Sequence, residues 1–416
     1  MNRVWMLRGL AGISGVCGLS YEVLYARLVA GHFGAVMHVV MAVLGAFLLG
    51  VALGSLMAPR LVRKLPLFEA IVGCYAIGAA VFVLSGASLP TIEVLAQWAG
   101  GMPAWLSIPL AMVLVAVPAF LIGASLPLFA FWIEHFAPER ERSSFAWAFA
   151  MYNLGAAVCL IIVELWVAPE IGAARVMLIA GALNLAVASA LYFAVARQST
   201  PTTRGMQWPV WDRASRVMLT VGVAEGVFMG WALTIGLVLY DGTTEVMAIV
   251  IAASLLGMPL GTWCVSKLRL SIAGWVLCTA GVLAFTAGLL GVFVDGWNLL
   301  TPWIYSTWSS PHAWVLALGV LSLLFLPATI MFGGVEPLLV DEMGQEGLSR
   351  SGEILFWSGL GSGGGLIVSY LVFPGVFGLD GTLVVVAGIM VMALLLAVGR
   401  AGTTGEAEAE VAHAES

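Results

Sequence analysis

The sequence predicts an all-α polytopic membrane protein with about twelve transmembrane helices, arranged as two parallel six-helix repeats. Composition is the first observation behind this prediction: 61% of the 416 residues are hydrophobic and only 10% are charged, whereas a soluble domain has about 25% charged residues. The second is a series of apolar segments of about 20 residues, the length that spans a bilayer. The third is a set of short motifs that recurs in both halves. Together they exclude an ordinary soluble enzyme.

Twelve apolar segments, bounded by Pro, Gly and charged clusters, mark the predicted helices. They cover 5–30, 35–58, 67–88, 104–134, 144–168 and 173–196 in the first half, and 215–240, 244–266, 271–293, 312–340, 353–373 and 380–399 in the second. A polar stretch with two prolines separates the halves and reads as a linker. The predicted organisation is an N-terminal repeat at 1–198, a cytoplasmic linker at 199–213, a C-terminal repeat at 214–400 and an acidic disordered tail at 401–416.

The basic residues predict the orientation of the chain. All but two of the 17 Lys and Arg residues fall in alternate loops or near the chain ends, the exceptions being Arg27 inside helix 1 and Arg175. Loops rich in Lys and Arg stay on the cytoplasmic side of a membrane. We therefore expect a multi-pass protein of the cell (inner) membrane with both termini in the cytoplasm.

Charge and cysteine content exclude several kinds of partner. The net charge of -6 argues against nucleic acid, because binding phosphates needs an excess of Lys and Arg. The five cysteines lie in apolar runs without a CxxC motif, and the five histidines show no ligand spacing. We predict no metal site, no cofactor and no disulfide framework.

Four short motifs recur in the same order, at offsets of 205–210 residues. The pairs are Leu49–Ser55 with Leu256–Thr262, Gly123–Pro127 with Gly333–Pro337, Asn153–Gly155 with Gly359–Gly361, and Pro169–Gly172 with Pro374–Gly378. Because each half has an even number of helices, the repeats are parallel and related by an axis along the membrane normal. That is the organisation of major facilitator transporters.

One glycine pattern has a second interpretation. The run from Gly359 to Gly364 matches the G-x-G-x-x-G of nucleotide-binding turns. It lies inside one apolar span, and no strand–turn–helix unit surrounds it. We therefore predict that these glycines allow close packing of helices.

Several of these motifs resemble a known family. The runs Gly18–Leu28, Ala46–Ser55, Gly123–Pro127 and Tyr152–Ala156 resemble the membrane region of spermidine synthase-like membrane proteins, and the resemblance extends from about Gly9 to Leu396. It implies a major-facilitator-like membrane region, which in that family is usually followed by a cytoplasmic aminopropyltransferase domain. The sequence shows no such domain after Arg400, so we do not expect enzyme activity from this chain alone.

Ionisable residues inside spans are the main candidates for a site, since such charges are costly in a bilayer and tend to be functional. The acids are Glu22, Glu164, Glu225 and Glu336, and the deep base is Arg27. Glu22 and Arg27 are five residues apart, about 140° around a helix, so each is expected to find a partner on another helix, unless Arg27 reaches the outer surface. Glu225 has no local base, which indicates a functional role.

The predicted substrate-binding set combines charged and polar residues from both halves: Glu22, Arg27, Tyr21, Tyr152, Asn153, Glu225, Trp231 and Glu336. Acids without matching bases fit a cationic ligand, and Trp231 could flank a cation. The alternative for each is a structural role, as an interhelical ion pair, a hydrogen bond or core packing. We predict no catalytic residues.

These expectations lead to a function with open alternatives. The first is that the chain handles or transports a small cationic amine in a cavity between the halves, the polyamine itself being implied by the family resemblance. The main alternative is a non-transporting anchor or scaffold for a separately encoded cytoplasmic synthase-like protein or another membrane complex. Catalysis within the membrane is a third, for which no nucleophile–base set is visible.

Overall fold

The computed structural model describes residues 3–33, 37–64, 104–136, 144–195, 209–240, 244–307, 310–344, 346–347 and 350–398. The regular structure within these ranges is helical throughout. The predicted helix 67–88 and the tail 401–416 lie outside the described residues.

The first half contains α1 (Arg3–Phe33), α2 (Met37–Lys64), α3 (Ala104–Gly123), α4 (Ser125–Phe136) and α5 (Ser144–Ile162). A π-helical turn (Val163–Val167), α6 (Ala168–Ile171) and α7 (Ala173–Val195) follow. The second half contains α8 (Arg213–Tyr240), α9 (Thr244–Leu268), α10 (Ile272–Thr307), α11 (Ser310–Glu342) and α12 (Ser351–Val398). Eight stretches among the described residues are long and apolar enough to cross a membrane.

Two predicted spans, 353–373 and 380–399, form the single continuous element α12. The chain bends at Gly378, whose φ of +67° is not helical and is a conformation that glycine adopts at little cost. The carbonyl oxygen of Gly378 accepts a hydrogen bond of 2.6 Å from Thr382 Oγ1. The prediction of two spans here therefore agrees with two arms joined at a glycine.

The prediction that 294–311 is a loop is wrong over most of its length. The residues from Asp295 to Gly296 and the later Pro302 resemble turn signals, yet α10 continues to Thr307 with Pro302 inside it. The indole of Trp297 donates a hydrogen bond of 3.3 Å to the carbonyl oxygen of Leu239 near the end of α8. This contact ties the extension of α10 to the end of α8.

Corresponding helices pack in the same register in the two halves. A Cβ atom at Gly15 of α1 would overlap the carbonyl oxygen of Tyr152 in α5, and one at Gly222 of α8 would overlap that of Ser358 in α12. The two glycines are 207 residues apart, and their two partners 206. The offset agrees with that of the sequence motifs, so the helix pairs α1–α5 and α8–α12 are structural equivalents.

The halves contact each other through α2 with α12 and α5 with α9. The glycines of α12 serve two neighbours: a Cβ atom at Gly359 or Gly363 would press on α2, and one at Gly361 or Gly365 on α8. This agrees with close packing as the role of the glycine run from Gly359 to Gly364. Glycine at these positions lets backbones approach without a side chain between them.

A proline removes one helical hydrogen bond at the same place in each half, at the junction of α3 and α4 in the first half and inside the continuous α11 in the second. Pro127 and Pro337 have no N–H, so the carbonyl oxygens of Gly123 and Gly333 lose their helical partners. Ser55 of α2 donates a hydrogen bond of 2.9 Å to Gly123, and Thr262 of α9 one of 3.4 Å to Gly333. The Ser55 hydroxyl therefore satisfies the freed carbonyl of Gly123, whereas the Thr262 hydroxyl is shared between Gly333 and the carbonyl oxygen of Met258 at 3.0 Å.

Candidate functional site

Arg27 and Glu164 form an ion pair between α1 and the π-helical turn. Arg27 Nη1 donates to Glu164 Oε2 at 3.1 Å, and the side chain of Glu164 is 0% exposed. The turn arises where Pro169 cannot donate to its helix, and the N–H of Ala168 bonds back five residues to Val163. Sequence reasoning left Glu164 open as an interfacial residue; the structure places it in the interior, with its charge balanced by Arg27.

A first group of polar side chains, the N-terminal cluster, comprises Glu22 of α1, Ser125 of α4 and Tyr152 of α5. Tyr152 is hydrogen-bonded to Ser125 and lies within electrostatic range of Glu22. Glu22 is 6% exposed, and among the described residues it makes no hydrogen bond or ion pair. The cluster thus contains one carboxyl group that packing has enclosed without supplying a donor.

A second group, the C-terminal cluster, comprises Glu225 of α8, Glu336 of α11 and two serines of α12. Ser362 donates a hydrogen bond of 3.0 Å to Glu225 Oε2, and Glu336 lies close to Ser358 and within electrostatic range of Glu225. The Oε2 atom of Glu336 is inaccessible and has no hydrogen-bond partner in the described structure. Two half-buried carboxyl groups therefore lie in the same region.

The remaining predicted site residues have structural contacts. Tyr21 is fully buried, and its ring centroid lies 6.4 Å from that of Tyr25. The Asn153 amide donates to the carbonyl oxygen of Phe149 at 2.9 Å, within its own helix. Trp231 is buried, with its indole N–H bonded to Leu379 at 3.0 Å. These contacts fit packing roles, and only Asn153 of the three retains partial exposure.

Sequence reasoning missed the serines that accompany the acids: Ser125, Ser358 and Ser362. Ser358 and Ser362 lie four residues apart in the glycine run of α12, so they share one helix face. That spacing was the signal available in the sequence. Their small side chains leave room for a carboxylate from a neighbouring helix.

An ion-pair network joins the start of α8 to the start of α12, outside the apolar spans. Arg350 binds Asp212 at 2.7 Å, Glu353 at 2.9 Å and Glu346 at 3.3 Å. Partial burial acts to raise the pKa of Asp212, but hydrogen bonds from Arg350 and Ser215 outweigh it and lower the pKa below its usual value. Burial alone would lower the pKa of Arg350, whereas its bonds to Glu353 and Asp212 raise it.

In the ranges that the structure describes, no three His, Cys, Asp or Glu side chains group closely enough to hold a metal ion. The chemistry available in the two clusters is that of carboxylates and hydroxyls, which bind cations and exchange protons.

Comparisons with known proteins identify the fold. No family model matches the chain, and no curated protein matches its sequence. A bacterial homologue of the iron transporter ferroportin, in the outward-facing state, aligns with TM-score 0.57 and 12% identity over 94% of this chain and 98% of its own. The E. coli fucose:proton symporter aligns with TM-score 0.57 and 12% identity over 97% and 100%. Likeness at this identity shows the fold alone: an all-α, major-facilitator-like membrane protein.

Proposed function

We propose that this chain transports a small cationic amine, of which polyamines are the first candidates, in a cavity between the two halves. The observation that carries the proposal is the charge balance of the described spans. Of the bases inside α1, Arg27 is neutralised by Glu164 and Arg8 lies over the rings of Trp5 and Trp147. No base of the described residues forms an ion pair with Glu22, Glu225 or Glu336. Such an excess of acids over bases favours a cation from solution.

Electrostatics explains why an amine suits these clusters. Two opposite charges 4 Å apart attract by about 4 kcal/mol at an effective dielectric constant of 20, against about 1 kcal/mol in water. An ammonium group supplies both the charge and the N–H donors that Glu22 lacks. In the proposal, Glu22 and Tyr152 contact one end of the amine, and the C-terminal cluster provides charge for the other.

Two further observations support the proposal. The structural neighbours include an iron-transporter homologue and a fucose:proton symporter, so the shared fold is one that serves transport. The resemblance of the helix 1 motif around Glu22 to spermidine synthase-like membrane proteins makes a polyamine the first amine to test. Under the scaffold alternative, the amine would have no effect on the purified chain.

Thermal unfolding of the purified protein with added putrescine or spermidine tests the function. We expect a polyamine-dependent rise of the unfolding temperature in the wild type, because a ligand that binds only the folded state stabilises it. Glu22→Gln keeps size and hydrogen bonding but removes the charge, and the rise should disappear. Asp295→Asn, at an exposed acid of α10, is the matched control and should behave as wild type. No rise in any variant would contradict the proposal and favour the scaffold.

We further propose that both termini and the linker are cytoplasmic in the inner membrane. Cysteine substitutions at Asp295 and Trp211, both exposed, place a label in the second half of α10 and in the linker. An impermeant thiol reagent added to whole cells should modify the first and spare the second. The reverse pattern would contradict the orientation.

A further inference from the structure

The carboxyl groups of Glu225 and Glu336 in the C-terminal cluster lie within electrostatic range of each other. No basic residue of the described structure forms an ion pair with either of them. Ser362 donates to Glu225, and the hydroxyl group of Ser358 lies close to Glu336. The Oε2 atom of Glu336 has no hydrogen-bond partner in the described structure, although it is shielded from solvent. A carboxylate oxygen in that state is costly, because desolvation is not offset by a donor.

The charged groups of the surrounding helices are too distant or already engaged. Glu225 lies within electrostatic range of Glu336, and no basic residue of the described structure acts on either carboxyl group. The other charged residues described on the elements packed around the pair, in α8, α9, α10, α11 and the start of α12, lie near helix ends or outside the cluster: Arg213, Arg216, Lys267, Asp295, Asp341, Glu342 and Glu353. Glu342 caps the N–H of Ile272, and Glu353 is bound to Arg350.

Two negative charges close together in a half-buried region disfavour each other. The charge excess can be relieved by a proton on one carboxyl group or by a bound cation near both. We propose that Glu225 and Glu336 together hold one exchangeable proton, and that a cationic amine displaces it. This inference rests on the proposed function, which it deepens by naming the coupling ion and its site.

The exchange balances in atoms and charge. When the ammonium group enters, the O–H bond of one carboxyl group breaks, and the proton leaves to water. The pair then carries one additional negative charge, which the ammonium group neutralises. When the amine departs, a proton from the opposite side restores the O–H bond. The chain would therefore exchange amine for protons across the membrane.

Glu336 directly precedes Pro337, which lies inside the continuous helix α11 and deprives one carbonyl oxygen of its helical partner. The freed carbonyl of Gly333 is held by Thr262 of α9 at 3.4 Å, and the backbone at Gly334 packs against the ring of Trp275 in α10. The carboxyl group of Glu336 therefore lies in the turn of α11 where one helical hydrogen bond is missing.

Proton release on amine binding tests the inference. Wild-type protein in weakly buffered detergent solution with a pH indicator receives putrescine, and binding is measured in parallel by calorimetry. We expect release of about one proton per putrescine bound. The putrescine dissociation constant should rise as pH falls, by up to tenfold per pH unit, because proton and cation compete.

Variants separate this inference from the proposed function. Glu336→Gln presents an N–H where the protonated acid would present O–H, so we expect putrescine binding to persist, weakened severalfold, with no proton release and no pH dependence. Glu225→Gln should show the same loss, and Asp295→Asn should release protons as wild type does.

Four outcomes are decisive. Binding of putrescine to wild type without proton release would overturn the proton site and leave the proposed function intact. Absence of any putrescine binding would overturn both. Full proton release by Glu336→Gln or by Glu225→Gln would remove the assigned residues. Release that requires Na⁺, shown by replacing Na⁺ with choline, would overturn the proton as coupling ion.

Discussion

The two halves share a backbone arrangement but differ in the chemistry that it supports. Gly15 contacts the backbone of Tyr152 as Gly222 contacts that of Ser358, so one register serves both. At this equivalent position, however, the N-terminal cluster has Tyr152 and the C-terminal cluster has Ser358. The larger phenol fills space beside the single acid Glu22, whereas the smaller hydroxyl leaves space for a second acid. Packing is therefore conserved between the halves, and charge is not.

A second difference is the ion pair at the π-helical turn, which the C-terminal half lacks among its described spans. Arg27 satisfies Glu164 within the first half, whereas Glu225 and Glu336 have each other and two serines. In the first half, Glu164 is paired with Arg27, and Glu22 is the acid that we propose contacts the ligand. In the second half, the half-buried Glu225 and Glu336 are the acids that we propose bind a proton or a cation.

The largest expected effect comes from removing the ion pair between Arg27 and Glu164, which stabilises the first half. Arg27→Ala leaves the Glu164 charge buried without its base, and we expect a loss of about 3 kcal/mol in unfolding free energy, the lower end of the range for such pairs, because Arg27 is 30% exposed. Differential scanning fluorimetry in detergent measures it. The double variant Arg27→Met with Glu164→Leu should recover most of the stability, and failure to recover would show that the pair does more than cancel charge.

The shared register can be broken in parallel in both halves. Gly15→Ala and Gly222→Ala each place a methyl group against a backbone carbonyl, and overpacking of this kind costs about 1–3 kcal/mol. Thermal unfolding should fall by similar amounts in both variants. Gly281→Ala, with open space around it, is the control and should be neutral or slightly stabilising. A large loss in one half only would contradict the equivalence of the pairs α1–α5 and α8–α12.

A smaller loss of stability is expected when the hydroxyl groups near Pro127 and Pro337 are removed. Ser55→Ala removes a bond of 2.9 Å to a freed carbonyl and should cost about 1 kcal/mol. Thr262→Val removes a longer bond of 3.4 Å and should cost less, so its unfolding temperature should remain above that of Ser55→Ala. An equal or larger loss for Thr262→Val would mean that the carbonyl of Gly333 depends more on its hydroxyl than the distance indicates.

The smallest effect is the pH dependence of the Asp212–Arg350 contact. The pKa of Asp212 is lowered in the folded protein from an ordinary value of 3.8. Its stabilisation is therefore complete above about pH 4 and is lost as pH falls through the folded pKa. Asp212→Asn can still cap α8 but has no charge to titrate. Unfolding temperatures measured from pH 6 to pH 3 should converge for the two proteins at the acid end; a constant gap would contradict the assignment.

The sequence predicted what depends on periodic patterns and missed what depends on side-chain neighbours. Apolar length identified the spans, and motif spacing identified the repeat that Gly15 and Gly222 display. The prediction of a loop at 294–311 was wrong because α10 continues through the turn signals at Asp295 and Gly296. The hydrogen bond from Trp297 to the carbonyl oxygen of Leu239 stabilises this extension.

Of the candidate site, the acids were predictable because a buried charge stands out in an apolar run. Their partners were not, because contacts such as Glu225 with Ser362 join residues 137 apart in sequence, and a serine in a glycine-rich span carries no individual signal. Likewise, nothing near Glu164 in the sequence reveals the π-helical turn that brings it to Arg27.

The separation of Arg27 and Glu164 has a consequence for biogenesis. The two residues are 137 positions apart, so a ribosome moving at about 5–20 residues per second leaves the arginine without its counter-charge for roughly 7–27 s. An arginine at the centre of a span costs about 2.5–3.5 kcal/mol on insertion scales, and the cost is smaller for Arg27, which lies near the end of α1. A nascent chain arrested before α5 should keep its first helix crosslinkable to the insertion machinery, and one arrested after the π-helical turn should release it into lipid.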